Sequence, residues 1–333
     1  MTDLPSSPVT ASVDFDLDGI QHGFLALPHS RDLSAWGKLM IPITLIKNGG
    51  GPTALITGGN HGDEYEGPIA LFDFARTIAP DDVTGRIILV PALNYPAFLS
   101  ATRTSPIDGG NLNRSFPGSP IGGITAKIAD YVHRTLLPMA DYVLDFHSGG
   151  KSLLFAPFCA AHILDDKNQQ ARAFEAVQAF GAPYSVEMVE IDAVGLLDTA
   201  AEAMGKVFIT TELGGGGSSS AATVDIAKRG LSNVLRHWGL LAGDPVPTGT
   251  TWVSQDNPAC FIFSQTQGLL EPFKDVGDRV SVGDVVASVY PIHKTGERRH
   301  DDCAQVDGVL LARHFPGLVG MGDCLAVMGQ LKS

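Results

Sequence analysis

In Thr53-Ala-Leu-Ile-Thr-Gly-Gly-Asn-His-Gly-Asp-Glu-Tyr-Glu-Gly67, an apolar run is followed by a glycine-rich turn and then by a helical pattern. This order of patterns indicates the fold class. The apolar run predicts a short buried strand. A helix is predicted from about Gly67 to Ile78, where Ile69, Phe72 and Ala75 recur at helical spacing and share one face. A strand, a turn and a helix in this order form the first unit of an α/β fold.

The same order recurs along the chain. Apolar runs predict further buried strands at 86–93, 141–146 and 206–211, and periodic stretches predict helices near 124–136, 168–180 and 222–239. Strands that alternate with helices indicate a mixed, largely parallel sheet with helices on both faces. Before this region, residues 9–47 alternate apolar and polar positions, which predicts antiparallel strands that end in a turn at 48–52.

The C-terminal third has a different pattern. Residues 244–249 read as a linker, and the segments 268–289 and 307–328 resemble each other in their order of glycines, aspartates and apolar runs. The repeat predicts a small β-sandwich that resembles biotinyl and lipoyl domains, and hence a catalytic domain at 1–245 and a β-domain at 250–333. Lys294 lies between the two halves but lacks the sequence context of a modified carrier lysine.

Composition excludes several classes of protein. The 333 residues are 44% hydrophobic and carry a formal charge of −13, which fits a globular protein and argues against nucleic acid as a partner. The four cysteines form no C-x-x-C pair, so we expect free thiols in a reducing compartment. The chain lacks a signal-peptide pattern and an apolar run long enough for a membrane span, so we expect a cytoplasmic protein without a membrane partner.

Two strand ends carry residues that bind metals. His61 and Glu64 lie three apart in the turn after the first strand, and His147 follows the strand at 141–146. Two histidines and one carboxylate leave a coordination position open, as catalytic zinc sites do. Asp145 shares a side of its strand with His147 and could orient that imidazole. Without the other motifs, His61 and Glu64 would be interpreted as a surface pair that binds no metal. His147 alone could be a histidine that forms a hydrogen bond to the backbone.

Two further segments supply polar groups for a substrate. In the loop before the helix at 124–136, Arg114 offers a fork for a carboxylate with Asn113 beside it, and Arg103 could stabilise an oxyanion. Glu212 ends the strand at 206–211 and could take a proton from water and pass it to a leaving nitrogen. The alternatives are surface salt bridges for the arginines and a flexible linker around Glu212.

Together, four motifs resemble the succinylglutamate desuccinylase and aspartoacylase family, which is related to zinc carboxypeptidases. They are His61-Gly-Asp-Glu64, Asn111-Leu-Asn-Arg114, Asp145-Phe-His147 and Thr211-Glu-Leu-Gly214. The resemblance implies a zinc-carboxypeptidase-like fold over about 50–240 and one zinc ion per subunit. It assigns zinc to His61, Glu64 and His147, a substrate carboxylate to Asn113 and Arg114, and acid/base catalysis to Glu212. Arg103 lies farther from Asn113 than in aspartoacylases, and Tyr290 is the candidate for a family tyrosine.

Within the family, Gly59-Asn-His-Gly-Asp-Glu-Tyr-Glu-Gly-Pro68 and the full-length architecture are most similar to the N-alpha-acetyl-L-2,4-diaminobutyrate deacetylases of ectoine breakdown. The resemblance implies hydrolysis of a small N-acyl amino acid to acetate and an amino acid with a free γ-amine. Glu190 and Asp192 are candidates to bind that amine. The alternatives are an aspartoacylase or desuccinylase, a zinc carboxypeptidase, and a non-enzymatic binding module that uses the C-terminal β-domain. A homo-oligomer is compatible with all of them.

Overall fold

The computed structural model of the protein describes residues 5–189 and 194–332, and these residues form one large mixed sheet, helices on both of its faces and a separate antiparallel sheet. The strands are β1 (Thr10–Ala11), β2 (Gly19–Pro28), β3 (Lys38–Asn48), β4 (Thr53–Gly58), β5 (Gly85–Val90), β6 (Tyr142–Phe146), β7 (Leu153–Phe155), β8 (Phe158–His162), β9 (Tyr184–Met188), β10 (Val207–Glu212), β11 (Thr251–Gln255), β12 (Phe261–Phe263), β13 (Gly268–Pro272), β14 (Arg279–Val280), β15 (Val285–Tyr290), β16 (His300–Cys303), β17 (Gly308–His314), β18 (Leu318–Val319) and β19 (Cys324–Leu331).

In the described part of the chain, the helices confirm the predicted ones, extend one of them by a short turn and add two short ones. They are α1 (Glu66–Thr77), α2 (Tyr95–Ser100), α3 (Ile124–Tyr131), α4 (Leu137–Met139), α5 (Lys167–Phe180), α6 (Leu197–Glu202) and α7 (Ala221–His237). A π-helical turn at Val132–Leu136 joins α3 to α4, and 3-10 turns cover Pro80–Asp82, Leu112–Arg114 and Pro258–Cys260. The sequence did not predict α2 and α6, since six residues are too few to show a helical period.

The large sheet is mixed, as predicted, but the prediction that it is largely parallel is wrong, because the N-terminal and C-terminal strands add antiparallel pairs on both sides of its parallel centre. Its order is β1, β2, β3, β5, β4, β6, β10, β8, β9, β11, β19, β17, β14, with β12 paired to β19 and β7 to β17. Strands β5, β4, β6 and β10 are mutually parallel, and so are β8, β9 and β11, while β10 meets β8 antiparallel. The predicted N-terminal strands are confirmed as β1 to β3, which pair antiparallel.

Each central strand contributes to two cores, because successive side chains on a strand point to opposite faces. On β5, Ile87 and Leu89 join the core beneath α1, α5 and α7, while Ile88 and Val90 join the core beneath α3, α4 and α6. Helices therefore cover both faces of the sheet, and the ligand-bearing loops emerge at its edge.

The predicted apolar face of α1 is wrong. Ile69 and Phe72 are 38% and 48% exposed, whereas Ala70 and Leu71 are buried. The cause is a close approach at the start of the helix, where a Cβ on Gly67 would collide with the Phe146 side chain of β6. This contact turns Gly67, Ala70 and Leu71 toward the sheet, so Ile69 and Phe72 face away from it.

Strand pairs link the two similar C-terminal segments internally and to each other. β13 pairs with β15 in the first segment, and β17 pairs with β19 in the second. Two further pairs, β13 with β18 and β14 with β17, join the segments. The sequence did not predict how this region joins the rest of the chain. β11 pairs with β9 on one side and with β19 on the other, so the large sheet continues into the C-terminal strands. β13, β15, β16 and β18 form the separate sheet.

Two further findings concern the chain as a whole. All four cysteines are free thiols, as predicted. Among the residues that the structure describes, no helix has the length and apolar character needed to cross a membrane.

Candidate metal centre and active site

The candidate ligands come from two neighbouring parallel strands. β4 and β6 pair with Thr57 opposite Asp145 and Gly58 opposite Phe146, so their carboxyl ends lie side by side. The turn after β4 carries His61 and Glu64, and His147 follows β6 directly. Parallel strands place their carboxyl ends at one edge of a sheet, which is where ligands bind in α/β folds.

The three predicted ligands meet at one point. Glu64 bridges the two imidazoles, with Oε1 2.7 Å from His61 Nδ1 and Oε2 2.9 Å from His147 Nδ1. One ligand atom from each residue lies within 4.8 Å of the other two. All three side chains are buried, and His61 Nε2 has no hydrogen-bond partner among the residues that the structure describes. Two imidazole nitrogens and a carboxylate that converge in this way form a donor set suited to zinc.

Asp145 orients His147, as the sequence predicted. Its Oδ2 lies 2.9 Å from His147 Nε2, and its carboxylate accepts hydrogen bonds from Thr57 Oγ1 at 2.6 Å and Asn60 Nδ2 at 2.9 Å. Burial lowers the pKa of His147, but attraction to Asp145 and Glu64 outweighs it and raises that pKa well above its usual value. Because Asp145 engages Nε2, the Nδ1 atom of His147 faces the ligand cluster.

Glu212 lies level with His147 on the next strand. β10 pairs parallel with β6, with Thr210 opposite Asp145, and Leu213 N donates to His147 O at 3.2 Å. One carboxyl oxygen of Glu212 is buried and has no hydrogen-bond partner within residues 5–189 and 194–332. Burial, and then the negative charge of Glu64, raise the pKa of Glu212 to about 8 in the metal-free protein. A carboxyl in this state takes up and releases a proton near neutral pH.

Arg103 reaches the ligand cluster despite its distance from Asn113 in the sequence. It follows α2, and its Nη1 lies 3.3 Å from His61 Nδ1 and 3.6 Å from Glu64 Oε1. Its side chain is half-exposed, so the guanidinium stands at the open side of the cluster. A cation in this position can stabilise negative charge that develops beside the cluster.

Asn113 and Arg114 lie in the 3-10 turn Leu112–Arg114. Asn113 Oδ1 accepts a hydrogen bond from Leu197 N at 3.0 Å. Arg114 is exposed, and its Nη1 donates to Asn113 O at 2.6 Å. Of these two residues, Arg114 lines the cavity that also holds Glu212.

A cavity of about 360 Å³ lies beside Arg114 and Glu212, which supply the charged groups of its lining. Residues of β7, β8, β9, β11, β12 and β19 supply most of the rest. A volume of this size admits a small amino-acid derivative. A larger cavity of about 570 Å³ lies between α1 and α7, and its lining includes none of the predicted site residues.

Residues 50–238 match the sequence profile of the succinylglutamate desuccinylase/aspartoacylase catalytic domain. The chain belongs to this family. The N-alpha-acetyl-L-2,4-diaminobutyric acid deacetylase of Halomonas elongata is 52% identical over 98% of this chain and 96% of that relative.

Two solved structures agree with this membership of the desuccinylase/aspartoacylase family. A product-bound structure of the ectoine utilization protein EutE (DoeB) from Ruegeria pomeroyi is 58% identical, covers 98% of this chain and 100% of its own, and has a TM-score of 0.96. A succinylglutamate desuccinylase from Silicibacter sp. TM1040 is 55% identical, covers 99% of this chain and 100% of its own, and also has a TM-score of 0.96.

Other candidates for family roles lie elsewhere. Tyr290 belongs to the separate four-stranded sheet, where its hydroxyl donates to Glu271 Oε2 at 2.7 Å and accepts from Arg299 Nη1 at 3.2 Å. Among the described residues that line the Glu212 cavity, Tyr290 does not occur. Glu190 and Asp192, the candidates for binding a substrate amine, lie outside the described residues.

The structure also places three residues at the site of this family member that the sequence analysis missed. Asn60 precedes His61 and bonds Asp145, so its position in the glycine-rich turn was an available signal. Glu66 is buried, accepts a hydrogen bond from Thr223 Oγ1 at 3.1 Å and adds negative charge near Glu212. Gln255 reaches the cavity from a distant strand, and no local pattern marks it.

Proposed function

We propose that the protein is a zinc-dependent deacetylase that hydrolyses N-alpha-acetyl-L-2,4-diaminobutyrate to 2,4-diaminobutyrate and acetate. The observation that carries the chemistry is the meeting of His61, Glu64 and His147 at one edge of the sheet, with Glu212 on the adjoining strand. The choice of substrate is supported by the full-length similarity to the Halomonas elongata deacetylase, at 52% identity.

Zinc is the metal that the donor set favours. His61 and His147 each turn Nδ1 toward Glu64, and Asp145 fixes the second of these imidazoles from behind. A zinc ion held by these three residues would polarise an acyl carbonyl and lower the pKa of a water molecule toward ~7. We propose one such ion per subunit.

The side chains around the cluster perform the remaining steps. Arg114 and the amide of Asn113 bind the α-carboxylate and so orient the scissile amide. Glu212 removes a proton from the attacking water molecule while the water oxygen forms a bond to the acetyl carbon. Arg103 stabilises the negative charge that develops on the acetyl oxygen. When the carbon–nitrogen bond breaks, Glu212 returns the proton to the departing amine, which leaves acetate and the free amino acid.

The rival activities make different demands on the cavity. An aspartoacylase or desuccinylase substrate carries a second carboxylate, which requires a second cation, whereas Arg114 is the one cationic residue in the described lining. A carboxypeptidase should cleave blocked dipeptides. A non-enzymatic binding module should bind no metal and release no acetate.

The finer architecture and the location are also proposals. We propose a catalytic domain at 1–245 and a biotinyl/lipoyl-like β-domain at 250–333, supported by the matching strand pairs of the two C-terminal halves. Limited proteolysis near 244–250 would test the boundary. The free thiols support a cytoplasmic location. Light scattering would measure the oligomeric state.

The test combines metal analysis with acetate release from a panel of substrates. We expect one zinc per chain and the highest kcat/KM with N-alpha-acetyl-L-2,4-diaminobutyrate. N-acetylaspartate, N-succinylglutamate and a blocked dipeptide should be much poorer substrates. Faster cleavage of any of these three would replace the proposed substrate, and full activity in protein stripped of metal would overturn the zinc assignment.

A further inference from the structure

Gln255 is a buried polar side chain in an otherwise largely apolar part of the cavity. It ends β11, where it pairs with Met188 of β9, and it is only 5% exposed. Its amide makes no hydrogen bond to any residue in the described part of the chain, yet it lines the same cavity as Glu212 and Arg114. Since buried polar groups normally have partners, the amide is left to bond whatever occupies the cavity.

Four phenylalanines share this cavity with Gln255. Phe155 and Phe158 come from β7 and β8 and pack edge to face, with ring centroids 5.6 Å apart. Phe261 and Phe263 come from β12, and Phe263 is 49% exposed. Ring faces are electron-rich, so a cluster of rings attracts a cation and disfavours a carboxylate.

We propose that Gln255 and these phenylalanines bind the ammonium group at the end of the substrate's side chain, which makes Gln255 a specificity-determining residue. The inference rests on the proposed function, since it concerns the substrate named there. The ammonium donates to Gln255 Oε1 while the rings supply cation–π contacts. Arg114 takes the carboxylate of the same molecule, so the cavity receives both charged ends of a small amino acid.

An uncharged side chain of the same shape would be rejected for a physical reason. It would fill the space between the rings but leave the Gln255 amide buried and unpaired, which a site built for hydrogen bonding penalises strongly. Selection for the ammonium therefore depends on Gln255 more than on the volume of the cavity.

The test compares two substrates that differ in one group. N-acetyl-L-norvaline carries a methyl group where N-alpha-acetyl-L-2,4-diaminobutyrate carries the ammonium. For Gln255→Leu we expect KM for the diaminobutyrate substrate to rise roughly 10- to 100-fold with kcat little changed, and KM for the norvaline substrate to stay the same or fall. Gln255→Glu should have the opposite effect and raise the preference for the diaminobutyrate substrate over the norvaline substrate. Gln267→Leu, at an exposed glutamine, is the matched control.

The outcomes separate this inference from the proposed function. If Gln255→Leu keeps the wild-type ratio of kcat/KM for the two substrates, the inference is overturned while the deacetylase function stands. If the wild-type enzyme releases acetate from neither substrate, the proposed function itself fails. Should the leucine variant not fold, Gln255→Glu decides alone, because an unchanged substrate ratio in that folded variant overturns the inference equally.

Discussion

Gly62 stands between two of the proposed zinc ligands and packs directly on the backbone of α2. Its N–H donates to Thr102 O at 2.9 Å. A Cβ on residue 62 would lie 2.0 to 2.2 Å from backbone atoms of Ala97 and Phe98, whereas real Cβ atoms essentially never come closer than 3.0 Å to another atom. These atoms belong to a hydrogen-bonded helix and cannot yield as the end of a flexible side chain would. In Gly62→Ala the loop that carries His61 and Glu64 must therefore shift.

The size of this shift sets the expected effect. Zinc ligands tolerate about 0.2 Å, and a misplacement of about 1 Å can cost roughly 100-fold in rate. We expect Gly62→Ala to bind zinc at least roughly 100-fold more weakly and to lose turnover in proportion. Unfolding free energy should fall by about 1–3 kcal/mol, the usual cost of overpacking.

The assay is zinc competition against a chelator, with thermal melting and acetate release on the same samples. Gly50→Ala is the matched control, because nothing lies within 4 Å of a Cβ there. Wild-type zinc affinity and turnover in Gly62→Ala would show that the loop accommodates a Cβ without displacing His61 and Glu64, contrary to this prediction.

Four further predictions concern residues of the site. Asp145→Asn removes the charge behind His147, so zinc affinity should fall roughly 10- to 100-fold by chelator competition, and an unchanged affinity would argue against that role. Glu212→Gln should keep zinc yet lose at least roughly 100-fold in kcat. In metal-free protein, the raised pKa of Glu212 means that the folded state holds a proton the unfolded state has lost between pH ~4.3 and about 8. The stability of the wild-type protein should therefore fall relative to that of Glu212→Gln as pH rises through this window. Melting temperatures of the two proteins that change equally with pH would contradict the prediction. Arg114→Ala should raise KM roughly 10-fold or more with a smaller effect on kcat, because a charge-assisted bond to the carboxylate is lost.

The parts of the site that the sequence predicted are those set by local geometry. The ends of neighbouring parallel strands must meet, so the loops after β4, β6 and β10 converge whatever the rest of the chain does. Asp145 and His147 are two residues apart on a strand and therefore share a side. These relations need only the strand positions, which continuous apolar runs mark clearly.

The parts that the sequence did not predict depend on long-range packing. The roll of α1 is fixed by Gly67 against Phe146, a contact between residues 79 positions apart that no spacing of large apolar residues encodes. Gln255 and Phe261 reach the cavity because β11 pairs with β9 and β12 pairs with β19. Such pairings leave no local signal, so the second wall of the cavity could not be foreseen.

The most direct test of the central claim is anomalous X-ray scattering at the zinc edge from crystals of active protein. We expect one zinc peak per chain at roughly 2.0–2.2 Å from His61, Glu64 and His147. The absence of that peak from fully active crystals, or a zinc ion bound by other residues, would overturn the proposed metal centre.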